Sequence, residues 1–363
     1  MISRSAWIAL LATLALEFSG CNGSKSISTS PENWSPELRD VARDAKLKAL
    51  DRLAEAQRVH NWRICATSRM RHGPDQVGWL TCLRGGSVAF NPLATVNMEG
   101  VRELSISPDG ASVALVRESP SQAGTRSQVL LQEVRGGSAQ PLMPPTPGKL
   151  YGVAWSADSR RLYFLLSDSE IPARDGIYCW SHDASTEPPR RDVFPPQGPP
   201  QYGTRVVVGS DPGTLFLTTR AAFTVRMDLT DGSFTPVTRG QAVAQKGREL
   251  LIVREVTDMG GQAPPQPADT GRIERNFEVV SHDLITQQDR VLVRVATEFQ
   301  LGFGILGDAS VSPDWSYFSF SGCIAHSPYN CMYPKPTSAT WIGELSQGTF
   351  FPISDSIVSW HGP

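Results

Sequence analysis

Val101-Arg102-Glu103-Leu104-Ser105-Ile106, then Ser107-Pro108-Asp109-Gly110, then Ser112 to Glu118: this stretch reads as a strand, a tight turn and a second strand. In the turn, Pro presets φ, Asp hydrogen-bonds nearby backbone amides, and Gly takes positive φ without steric cost. Gln128 to Val134, a Gly136-Gly137 turn and Ala139 to Met143 complete four strands with period-2 alternation. Worn copies of the turn recur as Ser156-Ala157-Asp158-Ser159, Ser210-Asp211-Pro212-Gly213, Gln245-Lys246-Gly247, Ser312-Pro313-Asp314-Trp315 and Ser359-Trp360-His361-Gly362. Their spacing, roughly fifty residues, is the length of one four-stranded propeller blade.

The marks count the blades. Asp109, Asp158, Asp211, Lys246, Asp314 and His361 take equivalent positions, so six blades are expected, all β. The sixth mark ends the chain, and its blade lacks three strands. Trp62 to Met70, Val77 to Leu83 and Ser87 to Leu93 supply them, with Ser356 to Trp360 joining to close the ring. Closure removes the exposed edges of an open ring. Cys65 and Cys82 are equidistant from the turn His72-Gly73-Pro74-Asp75 and so face each other within disulfide reach. Cys323 and Cys331 bracket a short loop and form a second expected bridge. Each adds roughly 2–4 kcal/mol by restricting the unfolded chain. Cys179 is left as an apolar strand residue.

Ser107 to Leu115, Ser156 to Leu165 and Ser312 to Phe320, each a Ser-Pro-Asp-Gly-like turn before an apolar strand, resemble the Pro-Asp-type repeat of the TolB-like β-propellers. The resemblance covers roughly Val101 to Pro363, with Ser-Pro-Asp intact in two copies and degenerate copies elsewhere. It implies the fold alone. The α/β domain that precedes the propeller in TolB has no room here, so membership of its envelope system does not carry over.

Ahead of the β region, Arg4 and the apolar run Ala6 to Leu16, too short to span a bilayer, precede Phe18-Ser19-Gly20-Cys21. That tetrapeptide resembles the lipobox of bacterial lipoproteins. The resemblance implies cleavage before Cys21 and lipidation of its sulfur, and Asn22 implies the outer membrane, facing the periplasm. An ordinary secretory signal with a chance Cys is the alternative. Two or more acyl chains anchor far more firmly than one. The expected organisation is residues 1–20 a lipoprotein signal peptide, 21–34 a flexible Ser-rich tether, 35–59 a helix and 60–363 the propeller. Ser35-Pro36-Glu37 starts the helix, and Leu38, Val41, Ala42, Ala45, Ala49, Leu53 and Ala56 share one face. That face either packs over one end of the β domain or docks another protein; its small side chains favour the first.

Lys+Arg 34 against Asp+Glu 36 argues against a nucleic-acid binder, which needs surplus cations. Ser181-His182-Asp183 and Ser281-His282-Asp283 look catalytic at first, but Arg226-Met227-Asp228 and Ile342-Gly343-Glu344 stand at the equivalent positions. The acid recurs because it begins a turn, and the His reads as incidental. No Gly-x-Ser-x-Gly elbow, phosphate loop, dinucleotide fingerprint or metal-ligand spacing occurs. The chain is therefore expected to be a non-catalytic monomer without cofactor or metal, acting as a protein-binding or scaffold module for an envelope protein or peptide. A six-bladed lactonase or dehydrogenase with a metal at the channel remains the alternative. Two long strand 2–3 loops, Asp258 to Arg275 and Gly322 to Thr340, mark the expected binding face. The second offers His326, Tyr329, Tyr333 and Lys335 on a segment stiffened by Pro328, Pro334 and Pro336. The competing reading is that both are tolerated surface insertions.

Overall fold

The computed structural model describes residues 36–60, 63–68, 77–83, 90–97, 100–121, 124–135, 137–167, 174–184, 189–193, 202–219, 222–256, 272–300, 307–322, 339–354 and 356–361. The strands form six sheets. Sheet 1 combines β1 (Arg63–Ser68), β2 (Val77–Leu83) and β3 (Phe90–Asn97) with the last strand, β25 (Ser356–His361), in the order β25-β1-β2-β3. Sheet 2 holds β4 (Val101–Ile106), β5 (Ser112–Ser121), β6 (Gly124–Glu133) and two-residue β7 (Gln140–Pro141), with β8 (Thr146–Pro147) also on β6 as a fifth strand. Sheet 3 runs β9 (Lys149–Trp155), β10 (Arg161–Ser167), β11 (Gly176–Ser181) and β12 (Arg190–Val193). Sheet 4 is β13 (Tyr202–Val208), β14 (Thr214–Thr219), β15 (Phe223–Asp228) and β16 (Phe234–Arg239). Sheet 5 is β17 (Gln241–Lys246), β18 (Glu249–Glu255), β19 (Arg272–Asp283) and β20 (Asp289–Gln300). Sheet 6 is β21 (Gly307–Val311), β22 (Tyr317–Gly322), β23 (Ala339–Glu344) and β24 (Thr349–Ser354).

The inner edges of these sheets touch in sequence and return to the start. β4 packs on β9, β9 on β13, β13 on β17, β17 on β21, β21 on β25, and β25 on β4. That closed circuit of radial sheets is a β-propeller. Closure is antiparallel pairing of the two ends of the β region: Arg63 opposite His361, Ile64 opposite Trp360, through Ser68 opposite Ser356. Trp360 strengthens the seam, its Nε1 donating to Ser310 Oγ and Ser319 Oγ of sheet 6, each at 3.1 Å. Its ring stacks on Tyr317 with centroids 6.5 Å apart.

The core is layered between sheets rather than gathered at one centre. In β10, Leu162, Phe164 and Leu166 pack toward sheet 2, while Tyr163 and Leu165 pack toward sheet 4. A second strand must be apolar on both faces because each sheet is sandwiched by two others, and β5 repeats the pattern with Val113 and Leu115 on one side, Ala114 and Val116 on the other. Each such fully buried side chain contributes about 1.5–3 kcal/mol.

The Ser-x-Asp turns close as their chemistry requires. Ser107 Oγ donates to Asp109 Oδ1 at 2.6 Å, Ala111 N to the same oxygen at 3.0 Å, and Ser112 N to Ser107 Oγ at 2.9 Å. The Ser156–Asp158 and Ser312–Asp314 copies repeat the geometry. Gly110 takes φ +69, and the worn copies force Ser159 to +61 and Trp315 to +64. The turns also meet around the ring: Asp109 N donates to Ser159 Oγ at 3.0 Å, Ser210 N to Gln245 Oε1 at 2.8 Å, and Lys246 Nζ to Asp314 O at 3.2 Å.

The helix α1 (Pro36–His60) packs by its C-terminal half. Leu50, Leu53 and Ala54 are buried in one cluster with Ile64, Tyr317, Ile342 and Phe351, so α1 covers the seam between sheets 1 and 6. Buried Gln57 extends the spacing to 50, 53, 54, 57. Of the expected face, Leu53 is buried in this cluster and Ala56 is half-buried against it, while the side chains of Leu38, Val41, Ala42, Ala45 and Ala49 lie outside the described residues. Leu47 and Val59 remain exposed.

Candidate functional site

With strand 1 innermost in every sheet, the Ser-x-Asp turns share one face and the strand 2–3 connections share the other. The second face is uneven. β5 and β6 run ten residues each where most strands have six or seven, and Ser121 Oγ closes their tip on Gly124 O at 2.7 Å. β19 and β20 run twelve residues each and rise on the same side. The two longest interruptions fall on adjacent sheets: residues 257–271 between β18 and β19 of sheet 5, and 323–338 between β22 and β23 of sheet 6.

A described aromatic on this face escaped the sequence reading. Phe223, at the start of β15 on neighbouring sheet 4, is 47% exposed. It is held on a fixed turn: its amide donates to Thr219 Oγ1 at 3.2 Å, Ala222 takes φ +57, and Ala222 O accepts from Gly240 N at 2.6 Å. The available signal was an apolar run, Ala221-Ala222-Phe223, where turn residues are usual. The expected partner residues His326, Tyr329, Tyr333 and Lys335 lie outside the described residues, as do Cys21, Cys323 and Cys331. Cys65 is buried, disulfide-bonded, and in register with Cys82 across β1 and β2. Cys179 on β11 is a half-buried thiol whose Sγ lies 3.7 Å from Trp180 O.

The two Ser-His-Asp triplets part company. Asp283 of the second serves a turn, its Oδ1 accepting from Ile285 N and Thr286 N at 2.9 and 3.0 Å. Asp228 Oδ1, at the equivalent position of sheet 4, accepts from Thr230 N at 2.7 Å. Exposed Asp183 of the first instead lies 3.8 Å from Arg160 Nη1. His182 is exposed. His282, read from sequence as incidental, is instead buried, with Nδ1 2.7 Å from Asp289 Oδ1. The signal lay seven residues downstream, where the hairpin returns Asp289 opposite His282.

His282 ends a charged network on the side of sheet 5 that faces sheet 4. Arg254 reaches Asp289 Oδ2 through Nη1 at 2.5 Å and Glu278 Oε2 through Nη2 at 3.1 Å, while Arg294 Nε donates to Glu278 Oε1 at 2.9 Å. Burial alone pushes Asp289 up, but His282 and Arg254 outweigh it and hold the carboxyl below the ordinary range. Burial likewise pulls Arg254 down, and Asp289 and Glu278 more than restore it. The two carboxylates are engaged by cations, which makes the network a structural clamp. Among the described residues, no group of three His, Cys, Asp or Glu side chains is placed to hold a metal ion.

The closed circuit of sheets places the chain in the class of β-propellers. No protein-family model matches it, and no sequence relative was found among curated proteins. Solved propellers are similar at low identity. A chain of the nidogen/laminin complex is 11% identical, with TM-score 0.49, over 82% of this chain and 98% of that one. A protein assigned as TolB from Agrobacterium tumefaciens is 14% identical, with TM-score 0.41, over 66% and 91%. An oligogalacturonate lyase in complex with manganese is 11% identical, with TM-score 0.41, over 80% and 84%.

Proposed function

We propose that the chain is a non-catalytic binding or scaffold module, anchored to the bacterial cell envelope through lipid on Cys21, that captures an envelope protein or peptide on its strand 2–3 face. The observation that carries the reading is the grouping on consecutive sheets 4, 5 and 6 of exposed Phe223 and the strand ends that flank the two longest interruptions. An aromatic on a hydrogen-bonded turn contributes contact area while little entropy is left to lose. His326, Tyr329, Tyr333 and Lys335 supply the remaining contacts in this reading.

The test replaces residues 257–271 and 323–338 of the tagged full chain by short turns, alone and with Phe223→Ser. Partner capture from envelope extracts is lost while circular dichroism is unchanged. Undiminished capture refutes the proposal. Stoichiometric metal in the purified chain, or hydrolysis of lactones or esters, favours a propeller enzyme instead. Metabolic labelling with a fatty acid, abolished by Cys21→Ser, tests the anchor.

A further inference from the structure

The fourth strand of each propeller sheet is its outer edge, where unpaired N–H and C=O groups invite another strand. Five of the six edges here are short or interrupted. β3 contains Pro92, β7 Pro141, β8 Pro147, β16 Pro236 and β24 Pro352. β12 has only four residues, preceded directly by Pro189. Proline lacks a donor and blunts an edge. β20 breaks this rule: it runs twelve residues, Asp289–Gln300, without a proline, and among the described residues its strand partner is β19 alone.

The sequence of β20 is also complementary to itself. Antiparallel pairing about a two-fold axis at Ala296 sets Val293 opposite Phe299, Arg294 opposite Glu298 and Val295 opposite Thr297, twice each. Moving the axis two residues, to Arg294, sets that cation against its own copy; to Val295, it sets Arg294 against Ala296. Within one chain, Glu298 stands in register with Glu274, and like charges directly opposite are unfavourable. The Ala296-centred register places Arg294 of the second copy directly opposite Glu298. It extends the row Arg254, Glu278, Arg294 across β18, β19 and β20 with Glu298 and Glu274 of the second copy.

We infer that β20 is a dimerisation edge that takes the β20 of a second copy of this chain in antiparallel register about Ala296, in place of the monomer the sequence suggests. The resulting sheet is eight-stranded and forms at the outer edge of sheet 5, where β20 rises toward the strand 2–3 face; the inference rests on edge composition and register alone, independently of the proposed binding role.

The test uses the full chain with Cys179→Ser, which removes a competing thiol, and Ala296→Cys. Directly opposed residues of an antiparallel pair have Cα atoms about 4.5–5.5 Å apart, within disulfide reach. Mild oxidation yields a covalent dimer on a non-reducing gel, and Val291→Cys, five residues from the axis, yields none. Adding Glu298→Arg, which relieves Glu274 while opposing Arg294, lowers cross-linking at least tenfold without lowering the melting temperature. The unsubstituted chain provides a second measurement, sedimenting as a dimer at micromolar concentration. A monomer there, cross-linking that survives Glu298→Arg, or cross-linking through Val291→Cys overturns the inference.

Discussion

Leu53→Ala probes whether α1 belongs to the ring or merely leads into it. Leu53 is fully buried, in one cluster with Ile64 of sheet 1 and Tyr317, Ile342 and Phe351 of sheet 6. Truncation removes three carbons from the core, worth roughly 2.4 kcal/mol at about 0.8 kcal/mol per methylene. The helix is pinned by Leu50 and Ala54 on either side, so collapse into the void is incomplete. A residual cavity of roughly 40 Å³ at about 24 cal/mol per Å³ adds roughly 1 kcal/mol. The expected loss is roughly 3–4 kcal/mol. With a urea m-value near 3 kcal/mol/M, the unfolding midpoint falls by about 1 M. Leu47→Ala, one exposed position on the same helix, is the control and changes stability by less than about 0.5 kcal/mol. Equal, small effects for the two substitutions refute the packing of α1 on the seam.

Three other outcomes follow from particular groups. Gly240 links sheets 4 and 5 at φ +123, and an added Cβ lies 2.4 Å from Ile252 Cγ2, so Gly240→Ala costs about 3 kcal/mol or more in a denaturant titration. The Ser156 hydroxyl and the Arg160 amide hold the Asp158 carboxyl below its ordinary value; the stability it adds is present above about pH 4 and is lost as pH falls through the depressed value. Asp158→Asn therefore melts lower than the unsubstituted chain at pH 6, and the gap narrows as pH falls below about 4. Burial, with Glu344 nearby, pushes the Tyr317 phenol up to about 12, so stability is complete below pH 10 and declines as pH rises toward 12; Tyr317→Phe removes that decline in a pH series of melts.

Local chemistry made the ring legible. The Ser-x-Asp turns mark where strand 1 becomes strand 2, and the expected spans Val101–Ile106 and Val77–Leu83 match β4 and β2. Hairpin symmetry placed Cys65 opposite Cys82, and the missing strands of the last blade identified β25 as the closing strand. What was not legible depends on contacts between distant segments. The packed stripe of α1 is selected by sheet 6, nearly three hundred residues away in Tyr317, Ile342 and Phe351. His282 could not be told from His182 by its neighbours in sequence, since both stand in Ser-His-Asp; the return of Asp289 buries one and not the other. Phe223 stayed hidden because exposure is set by which sheets flank a turn. Edge composition was not legible either: Pro92, Pro141, Pro236 and Pro352 stand out only once the outer strands are known.

Hydrogen exchange on the full chain and on a chain ending at Asp355, which lacks β25, tests ring closure most directly. The paired strand predicts that amides of β1, β2 and β3, and of α1 from Leu50 to Gln57, lose protection together in the shorter chain. Unchanged protection in β1 would contradict it, since β1 would then owe nothing to the C-terminal strand.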